Sequence, residues 1–332
     1  MQTSVSTSGV TDDGRYRGAV RSPPAGFLSP AVRRLGAELG IDPSELSGTG
    51  RDGRVTRDDV VRAAAAREKP VSVDAAAAAP VVPRGVADVD RAPVEGEFPF
   101  SKLRRQMAKR LVAAKRSAAH AFCSVEVDVE GIERVRAFYG PSFRAEEDFS
   151  LTYLPFFARA TVDALLEFPH LNGTVAADEL RIAGGVHLGI AVDLDGAGLL
   201  TPVVHDAQTK DLRTLAREIV DLARRARSGA LRPDDVSGGT FTVTNPGPFS
   251  TVLSVPIINA PQVGILATDA VRRIPVVVES EGADGIAVRS VATIGLSFDH
   301  RAIDGAYATS FVGRVREIVT TRDWASELGT LG

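Results

Sequence analysis

The chain has 332 residues, a formal net charge of -3 and a hydrophobic fraction of 44%. This composition is typical of a folded protein, and the slightly acidic balance argues against a nucleic-acid-binding surface. The single Cys123 excludes an internal disulfide and a cysteine cluster, and we expect it to be a small buried strand residue. The histidines lack metal-ligand spacing, and neither a signal peptide nor a long apolar run is present. We therefore expect a soluble cytoplasmic protein without a metal.

The composition changes along the chain and predicts four segments. Residues 1–26 are rich in Ser, Thr, Gly and Pro, which predicts a disordered lead. Residues 27–66 predict a small domain of two short helices, the first capped by Ser29 before a proline. Residues 67–96 are rich in Ala and Pro, and their prolines rule out one continuous helix, so we expect a semi-extended linker. Residues 97–332 predict one large α/β domain.

The large domain begins with a helix over 101–117 that has an apolar stripe and a strongly basic opposite face. Alternating and helical periodicities then predict further elements in chain order. These are a strand at 122–129, a helix at 151–168, strands at 180–192 and 199–204, a helix at 212–226, a strand after 238, strand character from 257, and a hairpin of 275–278 with 286–289.

The last predicted strand, 290–298, gives way to a helix over 306–320, and His300 lies between them. A residue at a sharp strand exit is held in a fixed orientation, which suits a general base. Asp304 follows four residues later and, with Gly305, supplies turn residues that start the helix. By itself this spacing fits a structural histidine beside an N-capping aspartate better than a catalytic one.

The sequence His-Arg-Ala-Ile-Asp-Gly at 300–305, preceded by Ser-Phe-Asp, resembles the HxxxDG signature of dihydrolipoamide acyltransferases and chloramphenicol acetyltransferase. Ordered matches at 98–111, 152–156, 202–207 and 257–266 extend this resemblance over most of the domain. It implies an α/β (α+β) chloramphenicol acetyltransferase-like sandwich that uses coenzyme A as a substrate. It also implies a homotrimer whose active sites lie between subunits.

The resemblance assigns three catalytic positions. His300 matches the general base, and Thr244 matches a hydroxyl that donates to the oxyanion of the tetrahedral intermediate. Asp304 matches a residue that maintains the site through a buried ion pair with an arginine, for which Arg104 and Arg105 are candidates. The base assists direct attack by the acceptor, so no Ser or Cys nucleophile is required. The residues that contact coenzyme A are not assigned.

Residues 27–66 resemble the peripheral subunit-binding domain of the same family, in Ser29-Pro-Ala-Val-Arg-Arg and in the stretch from Leu46 to Val60. The resemblance implies a dehydrogenase, decarboxylase or carrier-protein partner held by basic side chains. The candidates are Arg33, Arg34, Arg51 and Arg54. A solvated charged surface is the alternative interpretation of these arginines.

Family members usually begin with a lipoyl domain, and none of the five lysines of this chain has the setting of a lipoyl attachment site. We favour a redeployed enzyme that moves an acyl group, expected to be acetyl, from acyl-CoA to a hydroxyl of a small molecule, such as a tetronate-type natural-product intermediate. The first alternative is a dihydrolipoamide acyltransferase core served by a lipoyl domain on another chain. The second is a scaffold that has lost catalysis.

Overall fold

The computed structural model describes residues 28–39, 41–50, 53–60, 63, 96, 97, 99–246, 250–280 and 283–329. The predicted lead (1–26), nearly all of the predicted linker (67–96) and Arg51 lie outside these residues. The chain divides into two compact units, Met1–Val81 and Val82–Gly332, each with its own core. The division falls inside the predicted linker, and the exact domain limits stay predictions.

The small unit is built around one helix, α1 (Pro30–Leu39), and a 3-10 turn at Pro43–Glu45. Residues 57–60 and 63 are helical as well, as the second predicted helix requires. The Ser29 hydroxyl accepts the Val32 N–H at 3.3 Å, which confirms the predicted N-cap. Val32, Ile41 and Val60 form the buried centre of the unit.

The loop of the small unit is held by Asp59, whose accessible fraction is only 6%. Its carboxylate accepts the backbone N–H and the hydroxyl of both Thr49 and Thr56, at 2.8 to 2.9 Å. The Thr56 N–H contributes most to holding the pKa of Asp59 far below its ordinary value. A glycine is needed at Gly48 because a Cβ there would lie 2.2 Å from the Arg54 backbone. One carboxylate and one close backbone approach therefore fix this loop.

The large unit contains six α-helices among its described residues. They are α2 (Lys102–Ser117), α3 (Glu130–Glu147), α4 (Leu154–Glu167), α5 (Leu212–Ser228), α6 (Gly305–Thr321) and α7 (Trp324–Gly329). None of the helices in the described part of the chain is long and apolar enough to cross a membrane.

Eleven strands are described in the same unit. They are β1 (His120–Asp128), β2 (Gly173–Ala176), β3 (Glu179–Ile182), β4 (Leu188–Ile190), β5 (Val192–Asp193), β6 (Leu199–Leu200), β7 (Val203–Val204), β8 (Phe241–Thr244), β9 (Gly264–Thr268), β10 (Arg272–Ser280) and β11 (Ala283–Asp299). Seven form one sheet in the order β1-β11-β9-β8-β4-β7, with β10 paired to the first half of β11. The sheet is mixed, because β8 runs parallel to both β4 and β9.

Helices cover one face of this sheet and complete its core. Phe241 of β8 packs against Phe311 of α6 with ring centroids 5.8 Å apart, and Phe156 of α4 packs against Trp324 at 5.3 Å. The opposite face is only partly covered. Its residues on the edge strand β1, including Ser124 and Glu126, are exposed. The site residues described below lie at the ends of strands of this sheet.

The structure differs from the predicted elements in several places, since the predicted strands 180–192 and 199–204 are each divided into shorter strands, and two further differences have local causes. Helix α3 was missed because Gly131, Gly140 and Pro141 disrupt its pattern, although Ile132 and Phe143 are buried and anchor it. The strand character expected from residue 257 becomes a strand only at β9, because prolines 256 and 261 interrupt pairing before it. The predicted hairpin of 275–278 with 286–289 is confirmed, with Pro275 opposite Val288.

Candidate active site

His300 follows the last residue of β11 and precedes α6, which confirms the predicted strand-to-helix junction. Its side chain is exposed in the single chain, and its ring lies 5.6 Å from the ring of Phe298. The His300 N–H donates to the Ala119 carbonyl at 2.8 Å. The imidazole is thus accessible while its backbone is tied to the segment that joins α2 to β1.

The residues on either side of His300 form an ion pair whose carboxylate is buried. Asp299 is 2% exposed and accepts from the Arg301 Nη2 at 2.6 Å and from the Ala119 N–H at 3.2 Å. Burial acts to raise the pKa of Asp299, but the hydrogen bonds from Arg301 and Ala119 outweigh it, so this pKa lies below its ordinary value. Asp299 is therefore an ionised carboxylate at neutral pH.

Asp304 occupies the N-cap position of α6, but its side chain makes no capping hydrogen bond and is exposed. Arg104 instead donates to the Gly196 carbonyl at 3.0 Å, and Arg105 donates to the Phe100 carbonyl at 2.5 Å. Among the described residues of this single chain, Asp304 forms no ion pair. Its predicted pairing with an arginine stays a prediction.

Thr244 is the last residue of β8 and is half-buried. It pairs in register with Ala267 of β9, which pairs with Gly295 of β11. His300 lies five residues beyond Gly295 along the same strand, or ~17 Å at the rise of a β-strand, and β8 is two strand spacings away. One chain therefore places the two predicted catalytic side chains far apart, at opposite ends of the segment over which β11, β9 and β8 pair.

His120 lies at the same end of the sheet as His300, because it pairs in register with Asp299. Its Nε2 accepts the Ile258 N–H at 3.3 Å, so that nitrogen carries no proton, and its Nδ1 donates to the Ala118 carbonyl at 3.2 Å. Both ring nitrogens are used to join a loop to β1. This arrangement favours a structural role close to the site.

The strand that carries Thr244 is held by a pair of side chains that was not predicted from the sequence. The Thr242 hydroxyl donates to the buried Gln262 Oε1 at 2.6 Å, and the Gln262 Nε2 donates to the Gly239 carbonyl at 2.9 Å. These bonds brace β8, which carries Thr244, against the chain that enters β9. The sequence shows only a Thr and a Gln in strand-like stretches. It does not show that the two side chains are hydrogen-bonded, because their pairing depends on the fold.

Three other histidines and Cys123 were also considered in the sequence analysis, and none of them was predicted to be catalytic. The rings of His187 and His205 lie 5.3 Å apart, and each ring makes a backbone hydrogen bond, as expected for structural histidines. His170 stacks on Tyr307 at 5.1 Å. Cys123 is half-buried rather than fully buried, and burial raises the pKa of its thiol.

The described arginines of the small unit differ in exposure. Arg33 and Arg34 are exposed on α1, and Arg54 is half-buried. Arg51, the fourth predicted partner-binding residue, lies outside the described residues. The two arginines of α1 are therefore available to a partner.

Comparison with protein-family models gives two matches. Residues 93–325 match the 2-oxoacid dehydrogenases acyltransferase (catalytic domain) model, and residues 26–61 match the e3 binding domain model. These matches agree with the predicted order of a small helical domain followed by an α/β acyltransferase domain.

Similar curated proteins were also found. The dihydrolipoyllysine-residue acetyltransferase component of pyruvate dehydrogenase complex of Corynebacterium glutamicum is 38% identical over 307 residues, 91% of this chain and 45% of that protein. The lipoamide acyltransferase component of branched-chain alpha-keto acid dehydrogenase complex of Bacillus subtilis is 35% identical over 92% of this chain and 74% of that protein. The chain thus spans less than half the length of the Corynebacterium relative.

Among solved structures, a probable dihydrolipoamide acetyltransferase from Listeria monocytogenes is 38% identical, with a TM-score of 0.65 over 69% of this chain and 97% of that chain. The Azotobacter vinelandii dihydrolipoamide acetyltransferase is 30% identical, with a TM-score of 0.65 over 73% of this chain and 97% of that chain. That structure was studied for the role of a serine, a histidine and an asparagine in catalysis. The expected fold is thereby confirmed. The chain belongs to the 2-oxoacid dehydrogenase acyltransferase family.

Proposed function

We propose that the protein transfers an acyl group between coenzyme A and a dihydrolipoyl thiol, with His300 as the general base. The observation that carries this proposal is the position of His300, which combines an accessible imidazole with a backbone fixed by Ala119 and Asp299. A base that removes a proton from a thiol needs both access to the acceptor and a fixed orientation.

The acceptor is a correction to the function favoured from the sequence. A small-molecule hydroxyl was favoured there, but the relatives described above are dihydrolipoyllysine and lipoamide acyltransferases at 35% identity or more. These similarities support the dihydrolipoyl acceptor, which was the first alternative, and nothing supports a tetronate-type substrate. The proposed acceptor is therefore a dihydrolipoyl thiol and not the hydroxyl of a natural-product intermediate.

The proposed reaction needs one base and one oxyanion donor. His300 takes the proton of the attacking thiol, and the thiolate adds to the thioester carbonyl to form a tetrahedral intermediate. The Thr244 hydroxyl donates to the negatively charged oxygen of that intermediate. Collapse breaks the other carbon–sulfur bond, and His300 returns the proton to the leaving thiolate. The step is reversible, so either thiol can be the acceptor.

We further propose a homotrimer in which His300 of one subunit meets Thr244 of a neighbouring subunit. The separation of these two residues within one chain supports this arrangement, because they are too far apart to contact one carbonyl group. A solved relative, the cubic core of a pyruvate dehydrogenase multienzyme complex, is 29% identical with a TM-score of 0.64. Its similarity supports an assembly of catalytic units.

The small unit is proposed to bind a dehydrogenase component, as its match to the e3 binding domain model supports. Arg33 and Arg34 lie exposed on α1 and provide a positively charged surface for an acidic partner. The proposed reaction also needs a dihydrolipoyl group as the acceptor. The cytoplasm remains the proposed location.

The test is a transfer assay with acetyl-CoA as donor and either dihydrolipoamide or small hydroxylated compounds as acceptor. Products must be separated by chromatography, because transfer between two thiols leaves the total thiol concentration unchanged. We expect S-acetyldihydrolipoamide with the wild type and none with His300→Ala. Transfer to a hydroxyl compound alone would refute the proposed acceptor, and no transfer at all would favour the scaffold. Succinyl-CoA and a branched acyl-CoA then identify the preferred acyl group.

A further inference from the structure

We propose that Asp299 and Arg301 are positioning residues, and that their ion pair fixes the backbone at His300 and thereby the direction of its imidazole. This inference rests on the proposed role of His300 as the base. It assigns a function to a buried carboxylate and its arginine that the transfer chemistry itself does not use.

The Asp299 carboxylate is fully engaged by hydrogen bonds. Its Oδ1 accepts from the Ala119 N–H at 3.2 Å, from the Arg301 N–H at 3.1 Å and from the Arg301 Nε at 3.0 Å. Its Oδ2 accepts from the Arg301 Nε at 3.1 Å and Nη2 at 2.6 Å. The guanidinium therefore binds in a two-pronged geometry that fixes the carboxylate plane.

The backbone on both sides of His300 is fixed by the same residues. The Asp299 N–H donates to the Val263 carbonyl at 2.9 Å, and the Asp299 carbonyl accepts from the N–H groups of Ala302 and Ile303 at 3.0 Å. Ala119 makes two bonds, since it donates to the Asp299 carboxylate and accepts the His300 N–H. Loss of the carboxylate would break the hydrogen bond from the Ala119 N–H and the one from the Arg301 N–H, which holds the turn at residue 301.

The burial of the carboxylate shows why Asp299 needs its arginine. The Asp299 side chain is 3% exposed, whereas the Arg301 side chain is 48% exposed. A buried carboxylate without a partner is costly, so removal of the guanidinium would force Asp299 to move toward water or to bind a proton. Either change would shift the backbone next to His300.

The fold offers a matched control in Asp235, another buried aspartate with a comparable environment. It accepts from the Arg225 guanidinium and, at 2.7 Å, from the Arg232 N–H. It lies in a turn beside β7, the strand at the opposite edge of the sheet order from β1. Loss of its charge should affect stability without affecting His300.

The experiment compares Asp299→Asn, Arg301→Lys, Arg301→Ala and Asp235→Asn in the full chain, assayed well below each melting temperature. We expect Asp299→Asn to lower kcat about 10- to 100-fold with KM for acetyl-CoA changed less than about twofold, because a small displacement of a base reduces the rate and not substrate binding. Arg301→Lys should retain more kcat than Arg301→Ala, since it keeps the charge. Asp235→Asn should lower the melting temperature and leave kcat unchanged.

Several results would overturn the inference. Wild-type kcat in Asp299→Asn and Arg301→Ala, or an equal loss of kcat in Asp235→Asn, would show that the pair does not position the base. If Asp299→Asn does not fold, the two Arg301 variants carry the same comparison. The proposed role of His300 as the general base fails by a different result, namely an inactive wild type or a His300→Ala variant that keeps its activity.

Discussion

Thr244 and His300 are separated by about five residues along the sheet, since Thr244 is in register with Gly295 of β11, two strands away, and His300 follows the end of β11 five residues after Gly295. A hydroxyl that stabilises an oxyanion must lie within hydrogen-bond distance of that oxygen. A general base must likewise lie within hydrogen-bond distance of the thiol that it deprotonates. Neither requirement is compatible with a separation of ~17 Å along the strand. If both residues act, they act in different copies of the chain.

His300→Ala is expected to abolish transfer at a small cost in stability. The His300 side chain is exposed in the single chain, so its truncation should change the free energy of unfolding by less than about 0.5 kcal/mol. Loss of a general base typically costs ~10²- to 10⁴-fold in kcat. Steady-state kinetics and thermal denaturation measure the two effects. His205→Ala, which also removes an exposed imidazole, is the control and should keep full activity.

Gly295→Ala tests the packing at the centre of β11. A Cβ at this position would lie 2.6 Å from the Phe122 Cζ and 3.3 Å from the Ser254 carbonyl oxygen. We expect a loss of about 1–3 kcal/mol in the free energy of unfolding, measured by urea denaturation. Gly285→Ala, where the nearest atom is 3.7 Å away, should be close to neutral. Equal stability of the two variants would contradict the packing described here.

The small unit should lose stability in acid through Asp59. Its folded-state pKa lies far below its ordinary value, so the stabilisation is complete above the unfolded-state pKa. It is lost progressively as pH falls from about 4 toward the folded-state pKa, because only the unfolded chain then binds the proton readily. Hydrogen exchange in the small unit between pH 6 and 3 measures this loss. Asp59→Asn should be less stable at pH 6 and less sensitive to pH.

Charge reversal on α1 should separate partner binding from catalysis. Arg33→Glu with Arg34→Glu is expected to weaken binding of an acidic dehydrogenase component at least about tenfold, measured by calorimetry at low salt. Transfer from acetyl-CoA to free dihydrolipoamide should be unchanged. Wild-type binding by the double variant would assign these arginines to a solvated surface.

The sequence predicted the His300 junction because an apolar β-branched strand, a turn and a helical pattern follow each other without interruption. It did not predict α3, whose glycines and proline hide a helix that burial of Ile132 and Phe143 stabilises. Nor did it predict the ion pair and hydrogen bonds of Asp299, although that residue stands within the quoted motif. Its hydrogen bond with Ala119 spans 180 positions of sequence, and only tertiary structure brings such groups together.

The most direct test of a shared active site is complementation between two inactive variants. His300→Ala and Thr244→Val should each be strongly impaired alone, whereas Thr244→Ser should stay active because it keeps the hydroxyl. In randomly mixed trimers, about a quarter of the interfaces would pair His300 of one subunit with Thr244 of another. We predict recovery of about a quarter of the wild-type activity on coexpression. No activity above that of the separate variants would contradict a site formed between subunits.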